Sequence, residues 1–80
     1  MLVYGYPCNF DGELAPLEVI QMGRYRLVNI VNINLIENPV SLRLRMLIGK
    51  ARRDGAQWLV ISPDTVREQK PIWFDTRMAA

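Results

Sequence analysis

Asn38-Pro-Val-Ser-Leu-Arg-Leu-Arg-Met-Leu-Ile-Gly-Lys-Ala-Arg-Arg-Asp-Gly-Ala-Gln-Trp-Leu-Val-Ile61 decides the fold, because its apolar period changes from helical to extended within one short joint. Asn38-Pro39 supplies an N-cap and a first-turn proline, or Ser41 caps one turn later. Val40, Leu44, Leu47, Ile48 and Ala51 then recur at spacings of three and four, the stripe a helix buries. Arg52 and Arg53 suit the negative end of a helix dipole, and Gly55 stops the helix. The spacing predicts a helix over about 39–54. Trp58-Leu-Val-Ile61 is an unbroken apolar run, as expected of a central strand buried on both sides.

Upstream, Arg24 to Ile36 alternates, most strictly over Val31–Leu35, and predicts one long strand. Both of its faces are apolar around Val28–Ile30, which marks a bulge or two-sided burial. Strand, helix and strand with short joints make a βαβ unit, so Arg24–Ile36 and Trp58–Ile61 are expected parallel in one sheet. Leu2–Tyr6 and Leu17–Gln21 read as short strands, with a loop from Pro7 to Pro16 and a tight turn at Met22-Gly23. Thr65–Lys70 suits a helical turn or a hairpin arm, and Pro71–Asp75 an edge strand. The expected fold is a single α+β domain over residues 1–80. It has a mixed, mostly antiparallel sheet of four or five strands, one main helix packed on one face, and a βαβ unit. The joint Lys50–Ile61 resembles the helix–Gly-Ala–strand joint of many small bacterial domains; it identifies no family.

The chain has 80 residues, half of them hydrophobic, with 22% charged, net charge +2, one cysteine and no histidine. That apolar content excludes disorder. Its longest internal uncharged stretch, Leu27–Ile36, is too short and too rich in asparagine to span a membrane. The start lacks a basic segment and a long apolar run, so no signal peptide is expected; with a lone thiol, this points to the cytoplasm. An internal disulfide is impossible and a structural zinc site has too few ligands. A core this small gains most from a partner chain, which favours oligomers.

Catalysis has thin support. No histidine is present to act as a base near neutral pH. Cys8 has no histidine or nearby lysine to activate it, and Asp11-Gly-Glu13 reads first as turn chemistry. No P-loop, dinucleotide or nucleophile-elbow motif occurs, and no cofactor or metal is implied. A small-molecule or catalytic site around Tyr6–Glu13 is the weakest reading. Asn29, Asn32 and Asn34 are unusual in a strand and suit a polar pocket or a sheet edge.

Two readings remain. On a helical wheel Leu42, Met46 and Gly49 lie almost opposite the core stripe, in line with Arg53. Trp73 is an exposed anchor by its strand phase, pointing away from Ile72 and Phe74. These residues predict a non-enzymatic binding or adaptor protein, acting as a homodimer through Leu42, Met46, Gly49, Arg53 and Trp73 or through an edge strand. The alternative is nucleic-acid binding by Arg24, Arg26, Arg43, Arg45, Lys50, Arg52 and Arg53. Residues 38–56 carry net +4, against −2 over 1–37 and zero over 57–80. The helical cations flank the buried stripe on both sides, however, as on any surface helix.

Overall fold

The computed structural model describes residues 2–63, 69–75 and 77. The strands are β1 (Leu2–Cys8), β2 (Val19–Met22), β3 (Tyr25–Asn29), β4 (Trp58–Ile61) and β5 (Ile72–Asp75), and the helix α1 is Leu42–Arg53. They form one five-stranded sheet in the order β2-β3-β4-β1-β5. Only β1 and β4 run parallel; β2–β3, β3–β4 and β1–β5 are antiparallel. The sheet is therefore mixed and mostly antiparallel, with the proline-preceded strand β5 at an edge, as expected.

The helix forms where its signals lie. Ser41, not Asn38, is the N-cap: its Oγ accepts from the Leu44 N–H at 3.3 Å. At the other end Gly55 takes φ +85° and its N–H donates to the Arg52 carbonyl, while Ala56 N–H reaches back to Ala51. That is a Schellman closure, and it aims the chain directly into β4. Leu44, Ile48 and Ala51 are buried, with Val40 and Leu47 packed at the margin. They meet Tyr6, Cys8, Val28, Ile30, Leu59 and Ile61 from the sheet. Phe10, Leu14 and Leu17, from the connection between β1 and β2, close the same core. Each buried Leu or Ile side chain contributes about 1.5–3 kcal/mol.

Two expectations are corrected. The long strand ends at Asn29, because the Asn29 Oδ1 accepts from the Val31 N–H and turns the chain out of the sheet. Asn34 Oδ1 accepts from Ile36 and Glu37, and Asn38 donates back to the Asn34 carbonyl. The asparagines thus build turns; the alternation of Val31, Ile33 and Leu35 reflects a connection whose half-buried Ile33 and Leu35 lean on the core. That connection carries the chain along the sheet before α1 returns it, so β4 runs antiparallel to β3, with Asn29 opposite Trp58. The parallel partner of β4 is β1, and the crossover unit is β1–α1–β4 with the β2–β3 hairpin inserted. The expectation for Thr65–Lys70 falls mostly on residues outside those described.

Arg52 fixes the 30–41 connection. Its Nε donates to the Ile30 carbonyl at 2.8 Å, and its guanidinium also bonds the Ile33 carbonyl. Among the described residues no helix is long and apolar enough to cross a membrane.

Candidate functional site

Strand registers assign every side chain to one of two sheet faces. The helix side takes Tyr6 and Cys8 of β1, Val19 of β2, Val28 of β3, and Leu59 and Ile61 of β4, all within the core or packed on it. Its charged positions, Arg26 and Asp75, sit at the periphery. The opposite face takes Ile20 and Met22 from β2, and Tyr25, Leu27 and Asn29 from β3. From β4 come Trp58 and Val60, from β1 Val3, Gly5 and Pro7, and from β5 Ile72 and Phe74. Its strand positions carry no charged residue and one amide, Asn29; Glu18 lines a hollow with Ile20 and Asn29 at the margin, and Arg24 stands over the Tyr25 ring.

Among the described residues no helix or strand forms a layer over that face. Val3, Leu27 and Val60 are nevertheless buried. Tyr25 and Phe74 lean toward each other, rings edge-on with centroids 6.2 Å apart, although β4 and β1 lie between their strands. Gly5 makes room for this roof: a Cβ there would lie 2.4 Å from Val60 Cγ2 and 3.4 Å from the Phe74 ring. Ile20 and Ile72, on opposite edge strands, remain 44% and 42% exposed. Trp58, expected in the core, is half-buried and points to this face, because it pairs with Gly5 and Asn29.

The sequence-predicted interface residues lie elsewhere. Leu42 and Met46 are 70% and 66% exposed on the outer side of α1. Together with Arg43, Leu47, Gly49, Lys50 and Arg53 they line an open groove of about 620 Å³. Nothing lies within 4 Å of a Cβ placed on Gly49, so the groove is open there. Trp73 is 65% exposed on the helix side of β5, its ring 5.1 Å from that of Tyr4.

The basic residues are distributed rather than pooled. Arg26 donates to the Phe10 carbonyl at 2.9 Å. Arg43 reaches the Asn9 carbonyl, lies 3.6 Å from Asp11 and sits over the Phe10 ring. Lys50 lies over the Tyr6 ring and bonds Gln69. Arg24 sits over the Tyr25 ring, and Arg52 is held by backbone carbonyls. Arg45 and Arg53 are exposed. Fixed in this way, Arg26, Arg43 and Arg52 anchor the protein's own loops.

A hollow of about 420 Å³ at the carboxyl ends of β1 and β4 gathers Asn9, Asp11, Gln21, Arg24, Arg26 and Ser62. Cys8, beneath it, is buried, and burial pushes its thiol up to about 11; Arg43 and Arg26 pull the other way with less effect. A protonated buried thiol is a poor nucleophile. Glu13 accepts from the Ala15 N–H, as turn chemistry requires. Among the described residues no buried side-chain polar atom lacks a partner, and no cluster of acidic, cysteine or histidine side chains could hold a metal.

The fold is a small α+β domain in which, among the described residues, a helix covers one sheet face and no helix or strand is layered on the other. In comparisons with known proteins, no family model, no curated protein and no solved structure matches this chain.

Proposed function

We propose that this protein is a small non-enzymatic protein-interaction module that acts as a homodimer, two copies meeting through the open faces of their sheets. The observation that carries the reading is the uncharged apolar face spanning all five strands. An antiparallel sheet face exposed to water ordinarily alternates to polar residues, and this one does not. Its centre is buried within the chain, and Ile20 and Ile72, on the two edge strands, are the large apolar side chains it leaves exposed to a partner. A second copy is the fitting occupant because the strand positions of the face are uncharged, its charges, Glu18 beside Ile20 and Arg24 over the Tyr25 ring, standing at the margin and opposite in sign. Two sheets packed face to face sit about 10 Å apart, with side chains from both inner faces interdigitating. The central Tyr25–Phe74 ridge and the flanking Ile20 and Ile72 supply the relief for such packing. The outer side of α1 is less suited to a second copy, since Arg43, Lys50 and Arg53 would face their own equivalents.

Light scattering on a sizing column tests this. The expected mass is twice 9.2 kDa. Ile20→Glu and Ile72→Glu, both at exposed positions, shift it to the monomer, and Met46→Glu leaves it unchanged. A wild-type monomer at high concentration overturns the reading. So does a Met46→Glu monomer alongside an Ile20→Glu dimer, which would transfer the interface to the helix.

A further inference from the structure

A second surface, separate from the self-association face, has chemistry of its own. The groove outside α1 has an apolar floor of Leu42, Met46 and Leu47, interrupted by the open position at Gly49. Its charged rim is Arg43, Lys50 and Arg53, and among the described residues no carboxylate lines it. The helix itself contains no acidic residue between Leu42 and Arg53. We propose that this groove receives an acidic amphipathic helix from a different protein, whose apolar stripe lies on Leu42 and Met46 and whose flanking carboxylates reach Arg43 and Lys50.

The geometry specifies the ligand further. Leu42 and Met46 are one turn apart on a ridge, and Gly49, with nothing within 4 Å of a Cβ placed on it, lets a partner's backbone or side chain approach the helix there. Leu42 to Arg53 spans three turns, so about three turns of partner helix cover the groove. Arg43 and Lys50 are two turns apart on one flank, roughly 10 Å along the axis at 1.5 Å per residue. Carboxylates seven residues apart on the partner match them. A partner's carboxylates compete with contacts both cations already make: Arg43 with the largely exposed Asp11, the Asn9 carbonyl and the Phe10 ring, and Lys50 with the Tyr6 ring and the neutral amide oxygen of Gln69. The apolar floor decides against a nucleic-acid ligand, whose phosphates would use the rim and leave Leu42 and Met46 without a partner.

The test is fluorescence anisotropy on the full chain, with three labelled probes. One is a three-turn helical peptide with leucines at one-turn spacing and glutamates seven residues apart. The second is the same peptide with lysines for glutamates, and the third a short duplex DNA. The glutamate peptide is expected to bind, more weakly as salt rises, and the lysine peptide at least tenfold more weakly. Met46→Glu and the double variant Arg43→Glu/Lys50→Glu each lose at least tenfold in affinity. Leu42→Ser, milder and at a largely exposed position, loses several-fold, which guards against a folding defect in the others. Equal binding of both peptides, unchanged binding by Met46→Glu, or no binding of either at millimolar concentration overturns the proposal. Duplex binding that falls with Arg43→Glu/Lys50→Glu but not with Leu42→Ser replaces it with a nucleic-acid surface. The oligomer mass of the same variants separates this result from self-association: a dimer that ignores the peptide refutes only the groove, and a monomer that binds it refutes only the sheet interface.

Discussion

The two faces of the sheet have nearly the same chemistry and opposite fates. On one side Leu59, Ile61 and Val28 are covered by Leu44, Ile48 and Ala51 of α1 and by Phe10 and Leu14. On the other, Val60, Leu27 and Val3 are just as apolar and as buried, yet no helix or strand among the described residues is layered over them, and the Tyr25 and Phe74 rings meet on that face. Within one molecule, therefore, burial of a residue is not evidence of a finished layer. The helix side is a core; on the other side, among the described residues, no helix or strand is layered over the sheet.

The largest effect expected from breaking this comparison comes from matched truncations. Leu59→Ala, under the helix, should cost about 2–5 kcal/mol in urea unfolding at any protein concentration. Leu27→Ala, under the rings, should cost the lower end of that range, roughly 2 kcal/mol, in dilute solution and more as concentration rises. Equal losses with no concentration dependence would make the two faces equivalent. Next, Gly5→Ala drives a methyl into Val60 and should destabilise by about 1–3 kcal/mol, with part recovered by Val60→Ala in the same chain. A neutral Gly5→Ala would show that the roof gives way freely.

Cys8 reports on the helix side alone. Burial raises its thiol from 9.0 to about 11, so the unfolded chain loses that proton first. Stability should therefore fall as pH rises from about 9 toward about 11, and Cys8→Ala should flatten that slope in a pH series of melts. The smallest effect belongs to Gly49, outside both faces. With nothing within 4 Å of the added carbon, Gly49→Ala should stabilise the fold by about 0.5–1 kcal/mol, read as a small rise in melting temperature.

Local signals predicted the helix, its Gly55 stop, β4 and the edge position of β5, because caps and periods act within a few residues. The end of β3 was not readable in this way. Val31, Ile33 and Leu35 keep the strand period after Asn29 has left the sheet, and an asparagine that closes a turn is indistinguishable in sequence from one within a strand. The parallel pairing was assigned to β3 because it is the nearer strand; the true partner, β1, is set by where the 30–41 connection lands. The outer stripe on α1 was legible from the helical wheel, and Leu42 and Met46 are exposed as expected. The open sheet face was not, since it exists only once five strands are in register. Its traces were present in the two-sided apolar character of Val28–Ile30 and the unbroken Trp58–Ile61 run. Both fit a sheet buried on two sides, with one helix among the described residues to cover it.

The position of β1 also has a consequence in time. It is made before the other four strands, yet both its neighbours, β4 and β5, come from the last third of the 80 residues, with Gly5 opposite Trp58 and Ile72. Such distant pairing makes folding slow relative to a local topology. During synthesis the β2–β3 hairpin and α1 can form while Leu2–Cys8 still has no strand to join. A strand that leaves the ribosome ahead of the rest of its sheet is thus among the last to be sheltered, and it is there that a chaperone would find this domain unfinished.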